Sequence, residues 1–108
     1  MAVPTPLDPA GAPGDLLTGI YRLRRECHLL DAPRQPFPGE TAWRRALADP
    51  PPHLRRAHWV VDGGYASLLW MPRGAGALAE IWVAPAARRR GLGRDLLAAV
   101  SAHARSLG

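Results

Sequence analysis

Lysine is absent from the 108 residues, cysteine and phenylalanine occur once each, and no apolar run is long enough to cross a bilayer. The lone Cys27 excludes a disulfide framework within the chain. His53, His58 and His103 stand at no metal-ligand spacing, so no metal site is expected. A spanning helix needs roughly 20 consecutive apolar residues, and none is present, so no membrane association is expected. The first residues carry Pro4, Pro6, Pro9 and Pro13 in place of a secretory segment, and the expected compartment is the cytoplasm. What the sequence has is basic charge: fourteen arginines against nine acidic residues, a net charge of +5. That balance suits nucleic acid, an anionic membrane or a phosphorylated small ligand, and does not choose among them.

The length suits one domain. Residues 1–14 combine proline, glycine and alanine and read as a flexible leader, with the folded part at 15–108. Leu16, Leu17, Ile20, Leu23, Cys27 and Leu30 recur at helical spacing and predict an amphipathic helix from Asp15, its N-cap, to Asp31. Pro33, Pro36 and Pro38 then impose a stiff loop. Glu40 to Asp49 predicts a short second helix with Trp43 and Leu47 on one face, ended by Pro50, Pro51 and Pro52. Beyond this the periodicity is that of strands. His58 to Val61 leads into an Asp62-Gly63-Gly64 turn, and Tyr65 to Met71 returns. A loop from Pro72 to Gly76 with two glycines precedes a third strand, Leu78 to Val83, which stops at Ala84-Pro85. Leu92, Leu96, Leu97, Val100, Ala104 and Leu107 mark a third amphipathic helix.

Arg88-Arg89-Arg90-Gly91-Leu92-Gly93 lies between the last strand and the last helix. Unpaired N–H groups and the dipole at a helix start favour an anion there. Gly91 and Gly93 allow the backbone close to phosphate oxygens, and the arginines offer charge-assisted hydrogen bonds. The run fits neither G-x-x-x-x-G-K-[ST] nor G-x-G-x-x-G. It resembles the acetyl-CoA motif of the GNAT superfamily of N-acetyltransferases, [QR]-x-x-G-x-[GA], with Arg88, Gly91 and Gly93 at the defining positions. Ile81-Trp82-Val83-Ala84-Pro85 resembles the family's central strand ending in V-x-P, and Leu96-Leu97 the paired leucines of the helix that follows.

The resemblance implies an α/β (α+β) GNAT-like fold, a mostly antiparallel sheet flanked by helices, with 15–108 a partial acetyltransferase domain that stops after the third helix. It implies acetyl-CoA as cosubstrate and an N-acetyltransferase that moves acetyl to a primary amine by direct attack in a ternary complex. The amides of Arg89, Arg90, Gly91, Leu92, Gly93 and Arg94 would take the pyrophosphate behind Arg88. The backbone of Ile81, Trp82 and Val83 would bind the pantetheine amides as an added strand does, and the Val83 N–H would polarise the thioester carbonyl. Family members with a glutamate base on this strand place it about eleven residues before the motif's first position, which is Ala77 here. Glu80 is three residues later, and an odd shift reverses the face of a strand residue. Glu80 is therefore expected to aim away from the acetyl group unless a bulge restores it; a salt-bridged or solvent-facing role is preferred over that of general base.

Two other readings stay open. The domain is a non-catalytic coenzyme-binding or interaction module, or a half-domain whose open strand Leu78 to Val83 is completed by a homodimer mate or another chain. A nucleic-acid patch at Arg88 to Arg90 explains neither the paired glycines nor the flanking strand and helix, and no stacking aromatics accompany it. Cys27 and His28 project about 100° apart on a helix, so a buried structural cysteine is expected rather than a nucleophile with its base. Tyr21 and the loop from Asp31 to Gly39 fall where the resemblance places the acceptor pocket.

Overall fold

Alternation along the strands sorts their residues onto two faces, and each face has a helical layer to bury it. The computed structural model describes residues 3–73 and 76–107. In chain order these form β1 (Thr5–Leu7), α1 (Gly14–Asp31), α2 (Glu40–Ala48), β2 (Arg55–Val61), β3 (Gly64–Trp70), β4 (Ala77–Val83), one 3-10 turn (Pro85–Ala87) and α3 (Leu92–Ser106). The strands make one antiparallel sheet in the order β1-β2-β3-β4. Gly74 of the two-glycine loop, with Ala75, lies outside the described residues.

One face carries Trp59, Ala66 and Leu68, which pack with Leu96 and Val100 of α3, flanked by Ile81 and Val83. The other carries Tyr65, which packs with Ile20 of α1 and Trp43 of α2, flanked by Val60 and Trp82. Burying an aliphatic or aromatic side chain contributes roughly 1.5–3 kcal/mol, so these two clusters hold the helices in place. Cys27 is buried, as expected of a structural thiol.

Several boundaries differ from expectation, among them the start of β2, which lies at Arg55 rather than His58. Thr5–Leu7, inside the stretch expected as a leader, pairs with His58 to Val60. Composition hid this strand because its stabilisation is tertiary: Leu7 packs against the Ile20, Trp43 and Tyr65 cluster, and an edge strand tolerates Pro6. Helix α1 begins at Gly14 behind Pro13, so Asp15 is a first-turn residue and not the cap; there its charge still complements the helix dipole. Gly64 belongs to β3 rather than to the turn. A Cβ on Gly64 would lie 2.9 Å from a Leu96 methyl, so glycine lets α3 settle directly onto the hairpin. No helix among the described residues is long and apolar enough to cross a membrane.

Candidate functional site

The end of β4, the turn after it and the start of α3 form a continuous set of backbone donors. Arg89 has a φ of 68° and Gly91 a φ of 81°. Left-handed backbone is uncommon for a residue with a Cβ, and such alternation curls successive N–H groups into an anion-binding concavity. The first helical bond runs from the Asp95 N–H to the Gly91 carbonyl at 3.0 Å. No N–H from Arg89 to Arg94 donates to a described residue, and no side chain caps the helix. Leu92 anchors this run by burying its side chain, whereas Arg90 and Arg94 are exposed.

The Arg88 side chain turns back into the protein. Its Nε donates to the Val83 carbonyl at 3.1 Å and its terminal nitrogen to Asp31 at 3.0 Å. The Asp31 bond, first, and contact with Cys27 raise the Arg88 pKa further above its ordinary value. The Cys27 thiol donates to the same Val83 carbonyl at 3.3 Å. Arg88 thus ties the end of β4 to the last turn of α1, while Arg89, Arg90 and Arg94 remain exposed.

Strand β4 is the edge of the described sheet. The Ala84 N–H donates to the Gly63 carbonyl at 2.9 Å, which makes those two residues a hydrogen-bonded pair. Bonded and non-bonded pairs alternate along an antiparallel ladder. The register Tyr65 to Trp82 and Ala66 to Ile81 therefore engages the Trp82 backbone in the sheet and turns those of Ile81 and Val83 outward. The outward backbone groups of this stretch are therefore those of Ile81 and Val83. With the Val83 carbonyl already accepting from Arg88 and Cys27, its N–H is the group left at the strand end. A hollow of about 270 Å³ follows this edge, between Cys27, Asp31 and Arg88 on one side and Glu80 to Val83 on the other.

Glu80 lies on the sheet face opposite Ala77, as an odd shift along a strand requires. It pairs with Ser67 in an unbroken register, without a bulge, on the sheet face that carries α1 and α2. There it borders both the edge hollow and a cavity of about 240 Å³ under Trp43. The three-residue shift moved it to the opposite face from Ala77, and that face is the one with the cavity. Glu80 also faces Arg24 at 3.9 Å with its side chain 46% exposed, in keeping with the salt-bridged role.

No motif or spacing singles out the other polar residues of this cavity: Arg24, Arg56, His58, Tyr65 and Ser67. His58 and Tyr65 are buried and bonded to each other, Nδ1 to hydroxyl, at 2.7 Å. Burial first, then the charge of Arg56, lowers the His58 pKa to about 4 against a smaller opposing effect of Asp8. Burial raises the Tyr65 pKa to about 12. Both are neutral near pH 7. Tyr21 holds the neighbouring loop by donating to the Pro38 carbonyl at 2.8 Å, and Phe37 stacks at a tilt on Tyr21 and His28. Strand alternation places His58, Tyr65, Ser67 and Glu80 on one face, but only the pairing register brings them side by side. Among the described residues, no group of His, Cys, Asp and Glu is arranged to hold a metal ion.

Residues 17–108 match the sequence model of the acetyltransferase (GNAT) family. A mycothiol acetyltransferase from Tsukamurella paurometabola is 43% identical over 56 residues, covering 52% of this chain and 18% of that protein. A tandem GNAT protein from the clavulanic acid biosynthesis pathway, solved without acetyl-CoA, superposes on 98% of this chain with a TM-score of 0.68 and 27% identity. The chain spans about a fifth of the first relative and 33% of the second.

Proposed function

The chain belongs to the GNAT acetyltransferase family, and we propose that it binds acetyl-CoA and transfers the acetyl group to a primary amine by direct attack in a ternary complex. The observation that carries this is the continuity of donors and cavity. Unpaired amides from Arg89 to Arg94 lead onto the outward backbone of Val83 and Ile81, and Glu80 stands beside that edge at the mouth of a cavity.

In this reading the amides and the α3 dipole hold the pyrophosphate, and the pantetheine arm lies along β4 as an added strand. The Val83 N–H donates to the thioester oxygen as negative charge develops there. The amine, held in the cavity, loses a proton to Glu80 directly or through a water. Its nitrogen then bonds the acetyl carbon, the carbon–sulfur bond breaks, and the departing thiolate takes up a proton.

A second reading is favoured by the open edge of β4: a coenzyme-binding half-domain that is completed by a second chain. Titrating acetyl-CoA and desulfo-CoA into the chain, with an amine panel, separates the two. Binding with turnover, lost in an Arg88→Ala, Gly91→Asp double variant that keeps its helical circular dichroism, supports the enzyme. Binding without turnover, in a chain that light scattering finds dimeric, supports the half-domain. Absence of binding by both coenzymes contradicts both.

A further inference from the structure

The cavity under Trp43 carries more positive than negative charge. Arg24 and Arg56 face it with Glu80 as its one carboxylate among the described residues, while His58 and Tyr65, bonded to each other, contribute no charge. Arg24 is the more deeply placed, its side chain 16% exposed. Its guanidinium is flanked by Trp82 at 4.9 Å, Trp43 at 5.7 Å and Phe37 at 5.9 Å. Those rings stabilise the cation through their faces but accept no in-plane hydrogen bond. The Arg24 Nε is buried with no partner among the described residues, and Glu80 at 3.9 Å is beyond hydrogen-bond reach.

Building on the acetyltransferase reading above, we infer that the acceptor is a small primary amine that also carries a carboxylate, with the carboxylate held by Arg24 and Arg56 and the amine by Glu80. A simple alkylamine would bring positive charge into a cavity that already has an excess of it. An amino carboxylate brings none in sum, and its two ends match the two signs present. At about 240 Å³ the cavity has room for a molecule of amino-acid size, since a water's share of liquid volume is about 30 Å³. Glu80 borders both this cavity and the hollow along β4, so an amine held there lies toward the proposed thioester.

The test reads binding independently of turnover. β-Alanine, propylamine and propionate are titrated into the chain, with and without desulfo-CoA, following the indole N–H resonances of Trp43 and Trp82. β-Alanine should bind about tenfold or more tightly than propylamine, as expected of a charge-assisted hydrogen bond. Arg56→Gln should erase most of that preference and Arg56→Lys retain part of it. Arg56 lies on an exposed stretch of β2, so both variants should fold. Equal or tighter binding of propylamine, a preference unchanged in Arg56→Gln, or no response to β-alanine would overturn the inference. Acetyl-CoA binding measured on the same samples judges the parent reading separately. If acetyl-CoA binds while propylamine is preferred, only the acceptor class falls; if β-alanine binds and acetyl-CoA does not, only the acetyl donor falls.

Discussion

Arg88 donates to the Val83 carbonyl at 3.1 Å from five residues further along the chain, so the first residue of the motif secures the strand edge proposed for the coenzyme. Its second bond, to Asp31, carries that restraint to α1. Arg88→Ala should therefore weaken desulfo-CoA binding by roughly tenfold, the scale of a charge-assisted hydrogen bond. Asp31→Asn should act in the same direction and less strongly. Calorimetric titration of the two variants checks the order.

Backbone strain at the turn gives a prediction of opposite sign at neighbouring positions. A Cβ at Gly91 would meet nothing within 4 Å, so its φ of 81° is the sole obstacle to a side chain. Gly91→Ala should cost about 1 kcal/mol, and Arg89→Gly, which relieves a φ of 68°, should recover a similar amount. Urea unfolding of the two variants measures both. Equal effects of the same sign would contradict the conformation described for the turn.

Glu80→Gln should slow acetyl transfer by roughly 10²–10⁴-fold, the usual contribution of a positioned general base. Acetyl-CoA affinity should change little, because the edge proposed for the coenzyme consists of backbone groups. Steady-state rates and desulfo-CoA affinity, measured on one preparation, separate the two effects. A rate unchanged in this variant returns Glu80 to its structural pairing with Arg24.

Folding stability should fall in mild acid through His58. Burial, followed by the charge of Arg56, lowers its folded pKa to about 4, whereas the unfolded chain takes up that proton near 6.5. Between those values the unfolded state holds more protons, so stability is complete above about pH 6.5 and declines toward pH 4 by about 3 kcal/mol. Urea midpoints across this range should drop, and His58→Gln should flatten the slope.

Local chemistry made much of this molecule legible. Proline runs, the Asp62-Gly63 turn and the leucine spacing of α3 act within a few residues, and the structure places those elements close to where the sequence predicts them. Gly91 carries left-handed backbone, which glycine adopts freely, and Arg89 shares it without any compositional signal. What escaped was non-local. Strand β1 exists through its pairing with β2, and the neighbourhood of Arg24, Glu80, His58 and Tyr65 arises from three strands and two helices meeting. Counting residues along β4 fixed the face of Glu80 relative to Ala77 but not which face bore the cavity; the packing of α1 and α2 decides that.

A coenzyme bound as proposed lies on the backbone of the turn and of β4. Amide nitrogen and proton shifts of the isotopically labelled chain, followed during titration with desulfo-CoA, test it most directly. The N–H groups of Arg89 to Arg94, together with those of Ile81 and Val83, should move most, while that of Trp82, paired to Tyr65, should move little. Saturable shifts confined to other surfaces, or no saturable shift at all, would contradict it.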